Sequence, residues 1–171
     1  MARTGRFTLR EAWAEDLPFL EEMLFEAFFW DPSAPRPDPA RFREDPEFAK
    51  LLRDWGGREG DTAIVAERDG RPIGAAWYRA WSEDEHSYGF VSPAFPEIAV
   101  GVAASERAGG VGRAMLEALI ETARRAGVAG LSLSVDPRNP AMGLYAALGF
   151  EEVGRSGSSP TMLLRIRSGG R

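Results

Sequence analysis

The sequence predicts an α/β (α+β) fold, a mixed, mostly antiparallel sheet with helices on both faces. Three observations predict it. A strand and two helical stretches precede a run of strands, and a helix, a strand, a second helix and closing strands follow, an order that layered folds take. Thr62 to Glu67 and Ile73 to Trp81 are strand-like runs flanking Arg68-Asp69-Gly70-Arg71, whose Asp-Gly pair favours a hairpin turn. Glu97 to Ala103, Gly112 to Ala126 and Leu131 to Val135 read as strand, helix and strand, for which a right-handed crossover is expected.

Taken in order, Phe7 to Trp13 can form a first strand. Ala14 to Phe29 reads as an amphipathic helix, with Leu17, Leu20, Leu24 and Ala27 on one face and Phe28 joining them. Pro32, Pro35, Pro37 and Pro39 make Asp31 to Pro39 a loop, because proline lacks the amide donor that regular elements use. Pro39 to Trp55 is expected as a second helix. Ser82 to Pro96 reads as a loop, with a short strand extension around Tyr88 to Val91. In Gly112 to Ala126 the residues Leu116, Leu119, Ile120 and Ala123 share a face. Leu131 to Val135 is a short apolar run, as a buried central strand requires. Pro140 to Leu148 is a short helix, and Phe150 to Val153 and Thr161 to Arg167 are closing strands, followed by a tail containing Gly169 and Gly170.

The chain has 171 residues, 44% of them apolar, enough for one domain spanning 1–171 with a core of its own. It contains no cysteine, so disulfides and thiolate metal sites are excluded, and His86 alone is too few imidazoles for a zinc site. No apolar run approaches the ~20 residues of a membrane helix, and the N-terminus lacks the apolar core of a signal peptide. A cytoplasmic protein without membrane or metal is expected. The net charge of −5, with no basic stripe, argues against nucleic-acid binding and suits a neutral or cationic substrate.

The feature that points to chemistry is Arg107-Ala108-Gly109-Gly110-Val111-Gly112, between a strand and a helix. Glycines let successive amides converge, and a helix N-terminus adds unpaired N–H donors and the positive end of its dipole, which together suit a phosphate. Arg107 and Arg113 are placed to add charge. A Walker loop would need Gly-Lys-Ser/Thr, which is absent, and a dinucleotide fingerprint would need glycine where Met115 stands. A plain strand-to-helix connector remains the bland reading of the turn.

The stretch Pro96-Glu97-Ile98-Ala99-Val100-Gly101-Val102, the R-x-x-G-x-G run Arg107 to Gly112, the helix after it, and Asn139-Pro140 with Leu144-Tyr145 and Leu148-Gly149-Phe150 together resemble the GNAT superfamily of acyl-CoA-dependent N-acyltransferases. Two departures stand out: Ala104 sits where the family often has proline, and Gly109 replaces a commonly basic residue. The resemblance implies that the strand before the loop bulges and splays from its neighbour. The pantetheine arm of acetyl-CoA would then pair with Val100 and Val102, and its pyrophosphate would rest on the amides of Arg107, Ala108, Gly109, Gly110, Val111, Gly112 and Arg113. It implies direct attack by an amine in a ternary complex, with Glu97 as base, acting through water, and Tyr145 as the acid for the departing thiolate. A backbone N–H near Val102 would receive the carbonyl oxygen. It also suggests that Asn139 bonds the pantetheine, although Asn before Pro140 is equally a favoured helix start. Trp30 and Trp81 are candidates for an amine-acceptor pocket, and an edge strand near Thr161 to Arg167 would allow a homodimer. The runner-up function is a binding module of the same fold that holds acyl-CoA without turnover. Glu97 and Tyr145 also have ordinary readings, as a solvated strand-end carboxylate and a core tyrosine.

Overall fold

The computed structural model describes residues 6–167. Among these residues there are seven strands: β1 (Thr8–Glu11), β2 (Thr62–Arg68), β3 (Arg71–Arg79), β4 (Glu97–Val102), β5 (Gly130–Ser134), β6 (Glu151–Ser156) and β7 (Ser159–Arg165). They form one sheet in the order β1-β2-β3-β4-β5-β7-β6. The helices are α1 (Leu17–Phe28), α2 (Pro39–Glu44), α3 (Pro46–Ala49), α4 (Val111–Arg125) and α5 (Ala141–Ala147). Every strand pair is antiparallel except β4–β5.

The central strands are apolar on both faces because both faces are covered. Ile64, Ala66, Ala76 and Tyr78 join the core under α4 and α5, while Ala63, Val65, Ala75 and Trp77 join the core under α1 to α3. The alternation is the two-residue period of a strand. In α4 the four residues expected on one face are buried, together with Val111 and Met115. In α1 the buried residues are Leu20, Met23, Leu24 and Phe25.

Several expectations are corrected. Pro39 to Trp55 is not one helix: Asp45 takes an extended ψ of 120° and starts a new helix by accepting from the Glu47 amide at 2.9 Å. Pro46 causes this, since proline disfavours the helical region for the residue before it. Ala14–Asp16 is a 3-10 turn that leads into α1. Tyr88 to Val91 forms no strand. The closing strand β6 runs to Ser156, and Ser159 begins β7 after a turn with Gly157 at φ 59°. Thr161 lies in β7, which sits between β5 and β6, so the edge is β6 and not the Thr161 segment. Gly169 and Gly170 lie outside the described residues.

Close approach fixes one residue of β4. A Cβ on Gly101 would overlap the carbonyl oxygen of Met23, so α1 rests directly on the β4 backbone. Gly101→Ala should therefore push α1 away and cost about 1–3 kcal/mol, read from denaturant unfolding. A stability unchanged by the substitution would mean that α1 yields freely.

Candidate active site

The β4–β5 pair is the opening in the sheet. It registers only at Glu97 opposite Ser132, with the Ser132 N–H donating to the Pro96 carbonyl at 2.9 Å. On the opposite edge of β4, the Ala103 N–H donates to Ile73 at 2.9 Å. With a two-residue period, Val100 and Val102 aim their amides and carbonyls at the β5 side, where no strand accompanies them beyond Glu97. The strand itself keeps an unbroken register with β3 from Gly74–Val102 to Arg79–Glu97, so the bulge that the resemblance implied is absent from that pairing. The splay alone frees the backbone, apart from the Val102 carbonyl, which accepts from the Arg107 Nε at 3.3 Å.

A cavity of about 590 Å³ occupies the gap. Its wall includes Glu97, Val100, Val102, Arg107, Ala108, Gly110, Val111, Gly112, Arg113, Asn139, Tyr145, Trp30 and Trp81, and Gly109 alone of the expected residues lies outside it. At one end is the turn before α4, where Ala108 (φ 64°) and Gly110 (φ 82°) adopt the left-handed region. No side chain caps α4, so its first amides are not engaged by a capping side chain. Both arginines of this end have protein partners. The Arg107 guanidinium donates to the Trp30 carbonyl at 2.9 Å and to Glu26 at 2.7 Å, tying the turn to the end of α1. Arg113 pairs with Glu117 at 3.0 Å. The turn also presents backbone amides and the positive end of the α4 dipole.

Glu97 sits where the gap closes. Its Oε1 accepts from the Gly89 N–H at 2.9 Å, and its Oε2 is buried without a partner. Burial pushes its carboxyl up to about 7, against the opposing pull of the Gly89 amide. Gly89 can approach because it has no Cβ: one would lie 2.5 Å from the Leu133 carbonyl carbon and 2.8 Å from the carboxylate itself. Ser132, level with Glu97 in the pair, is, among the described residues, the other one with a buried orphan, its Oγ.

Tyr145 lies on α5, packed edge-on against Phe150 with ring centroids 5.9 Å apart. Burial raises its phenol well above the ordinary value, which keeps it protonated. Asn139 accepts from the Ala141 amide at 2.9 Å, so its carbonyl oxygen serves as the helix cap and its NH₂ group remains. His86 is exposed and stacks on Phe90 at 4.5 Å, outside the cavity wall.

Sequence reasoning missed Gly89, Ser132 and the partner of Arg79. Gly89 and Ser132 carry no local signal. Arg79 does carry one, because a charge ending an apolar strand must find a counter-ion. It is 1% exposed and bonds Asp61 at 2.9 and 2.8 Å.

A sheet parted beside an uncapped helix N-terminus is the splayed arrangement that the sequence resemblance implies. The sequence matches the Acetyltransferase (GNAT) family over residues 17–150, and the chain belongs to that family. It is similar to a ribosomal-protein-alanine N-acetyltransferase from Brucella melitensis, at 26% identity and TM-score 0.65, over 93% of this chain and 99% of that one. It shares its fold with a phosphinothricin acetyltransferase from Sinorhizobium meliloti solved with acetyl-CoA, at 22% identity and TM-score 0.68, covering 95% and 90%. A putative acetyltransferase, yncA, from Salmonella typhimurium, solved with acetyl-CoA, aligns at 23% identity and TM-score 0.64 over 98% of both chains. A search of curated proteins gives no match. Among the described residues no helix is long and apolar enough to cross a membrane.

Proposed function

We propose that the chain transfers an acetyl group from acetyl-CoA to a primary amine by direct attack in a ternary complex. The observation that carries this is the unaccompanied edge of β4, which opens into a cavity running from the α4 amides to Glu97 and Tyr145. An extended amide-bearing arm can pair with Val100 and Val102 as an added strand would. The α4 N-terminus then receives a pyrophosphate at the other end.

Glu97 takes the amine proton as nitrogen bonds to the thioester carbonyl carbon. An alkylamine near pKa 10.4 costs about 4–5 kcal/mol to hold neutral near pH 7, so a base is useful. The orphaned Oε2 and the Ser132 Oγ suit one water between base and amine. A backbone N–H near Val102 steadies the carbonyl oxygen as it gains charge. The carbon–sulfur bond then breaks, and Tyr145 protonates the leaving thiolate. Thiolates are stable leaving groups, with thiol pKa near 8.5, so this donor is worth less than the base.

Tyr145→Phe should lower kcat about 10–100-fold with acetyl-CoA affinity unchanged, measured by thiol release and by titration calorimetry. Unchanged turnover would remove Tyr145 as the acid. For the proposal as a whole, calorimetry compares acetyl-CoA, CoA and ATP. Selective micromolar binding of the CoA compounds is expected. No CoA binding by folded protein would overturn the reading, and binding without turnover of any amine would leave a CoA-binding module.

A further inference from the structure

The cavity has two ends on opposite faces of the sheet. Val111, Leu133 and Tyr145 in its wall belong to the core under α4 and α5. Leu24, Leu51, Trp77 and Trp81, with the partly buried Phe28, belong to the core under α1 to α3 and form the other end. Glu97 follows the alternation of β4, in which Ile98, Val100 and Val102 pack with the first core and Ala99 with the second, so its side chain leaves the strand on the aromatic face. Two substrates entering from opposite faces would meet beside Glu97.

The charge inventory of the cavity wall is one-sided. Every arginine in the wall, among the described residues, is already in an ion pair: Arg79 with Asp61, Arg107 with Glu26 and Arg113 with Glu117. Arg79 is the one nearest the aromatic group in sequence, and its guanidinium is saturated further by the carbonyls of Arg53 at 2.7 Å and Leu51 at 3.4 Å. Glu26 is held by Arg36 as well as Arg107, at 2.8 Å. Tyr88, also in the wall, gives its hydroxyl to Glu47 at 3.1 Å. Glu97 is the ionisable group left without an ionic partner.

We infer that the amine acceptor is a monoamine on an apolar, aromatic-sized body that carries no anionic group. This rests on the acetyl-transfer reading of the same site. A carboxylate or phosphate on the acceptor would lose its water against Leu24, Leu51 and the two tryptophans and face Glu97; the wall has, among the described residues, no unpaired arginine, and Arg58, 4.7 Å over the Trp81 ring, is turned to Glu85 at 3.9 Å. A second ammonium, as in a polyamine, would meet no free carboxylate there. The flat rings instead match an aromatic or branched aliphatic body, and the apolar surroundings lower the pKa of the bound amine toward that of Glu97.

The test compares 2-phenylethylamine, phenylalanine amide, phenylalanine and putrescine as acceptors with acetyl-CoA, by thiol release. Their calorimetric binding to the protein saturated with CoA is measured in parallel. The expected kcat/KM for 2-phenylethylamine exceeds those for phenylalanine and putrescine by at least roughly 100-fold, from the burial of an unpaired charge. Phenylalanine amide, which keeps the branch and loses the anion, should fall within about tenfold of 2-phenylethylamine. An amide as poor as phenylalanine, or phenylalanine or putrescine turned over as well as 2-phenylethylamine, overturns the inference and leaves acetyl transfer standing. If none of the four turns over although the protein binds CoA, the inference is overturned, and acetyl transfer is decided separately by a wider screen of amines.

Discussion

Glu97→Gln is expected to lower kcat/KM by about 10²–10³ at pH 7 while leaving acetyl-CoA affinity intact. The shape of the pH profile carries more than the size of the loss. The parent enzyme should gain activity as pH rises through about 7, because burial holds the Glu97 carboxyl neutral below that point and a neutral carboxyl accepts no proton. In the substituted protein that limb disappears. The remaining rate should climb about tenfold per pH unit as the amine deprotonates itself toward its own pKa. An acid limb that survives the substitution unchanged would assign the titration elsewhere and end the base role.

The same group predicts a change in stability of known sign. Its folded pKa is raised, so its contribution is fully present below the ordinary value of 4.5 and is lost as pH rises through about 7. Glutamine mimics the neutral form at every pH. Thermal midpoints of the two proteins should therefore agree near pH 4, and the substituted protein should melt higher at pH 8. A catalytic group that costs the fold stability at working pH is the pattern expected of a site held in place by its surroundings.

What the sequence disclosed follows from the range of the interactions. The Asp69-Gly70 turn, with φ of 52° and 76°, is a local matter, and so is the cradle before α4. Both were legible because the residues that create them are adjacent. The break at Asp45-Pro46 was equally local, and Pro46 inside the expected helix Pro39 to Trp55 was its signal. Other features had no local trace. That β7 lies inside β6 depends on strand order. The surroundings of Glu97 combine Gly89 from a long loop with Ser132 from a parallel neighbour. That Arg107 pairs with Glu26 likewise depends on how α1 packs beside the turn.

Asp61→Ala should be the most damaging substitution away from the reacting atoms. Arg79 and Asp61 have side chains 2% and 1% exposed. Removing the carboxylate leaves a buried cation without compensation, at about 3–5 kcal/mol. At ~2–4 °C per kcal/mol for a chain of this size, the melting temperature should fall by roughly 10 °C. Replacing both partners with apolar residues, Asp61→Leu with Arg79→Met, should recover most of that loss, because a well-packed apolar pair needs no desolvation. Recovery would show that the pair adds little net stability. Its use is then positional: Arg79 gathers the Leu51 and Arg53 carbonyls, and Asp61 also accepts from the Gly56 amide at 2.9 Å, so the two hold the 51–61 segment against β3. That segment supplies Leu51 to the aromatic end of the cavity. The doubly substituted protein should accordingly regain its melting temperature but show a raised KM for the amine. A KM restored along with the stability would mean that the apolar packing alone shapes the acceptor pocket.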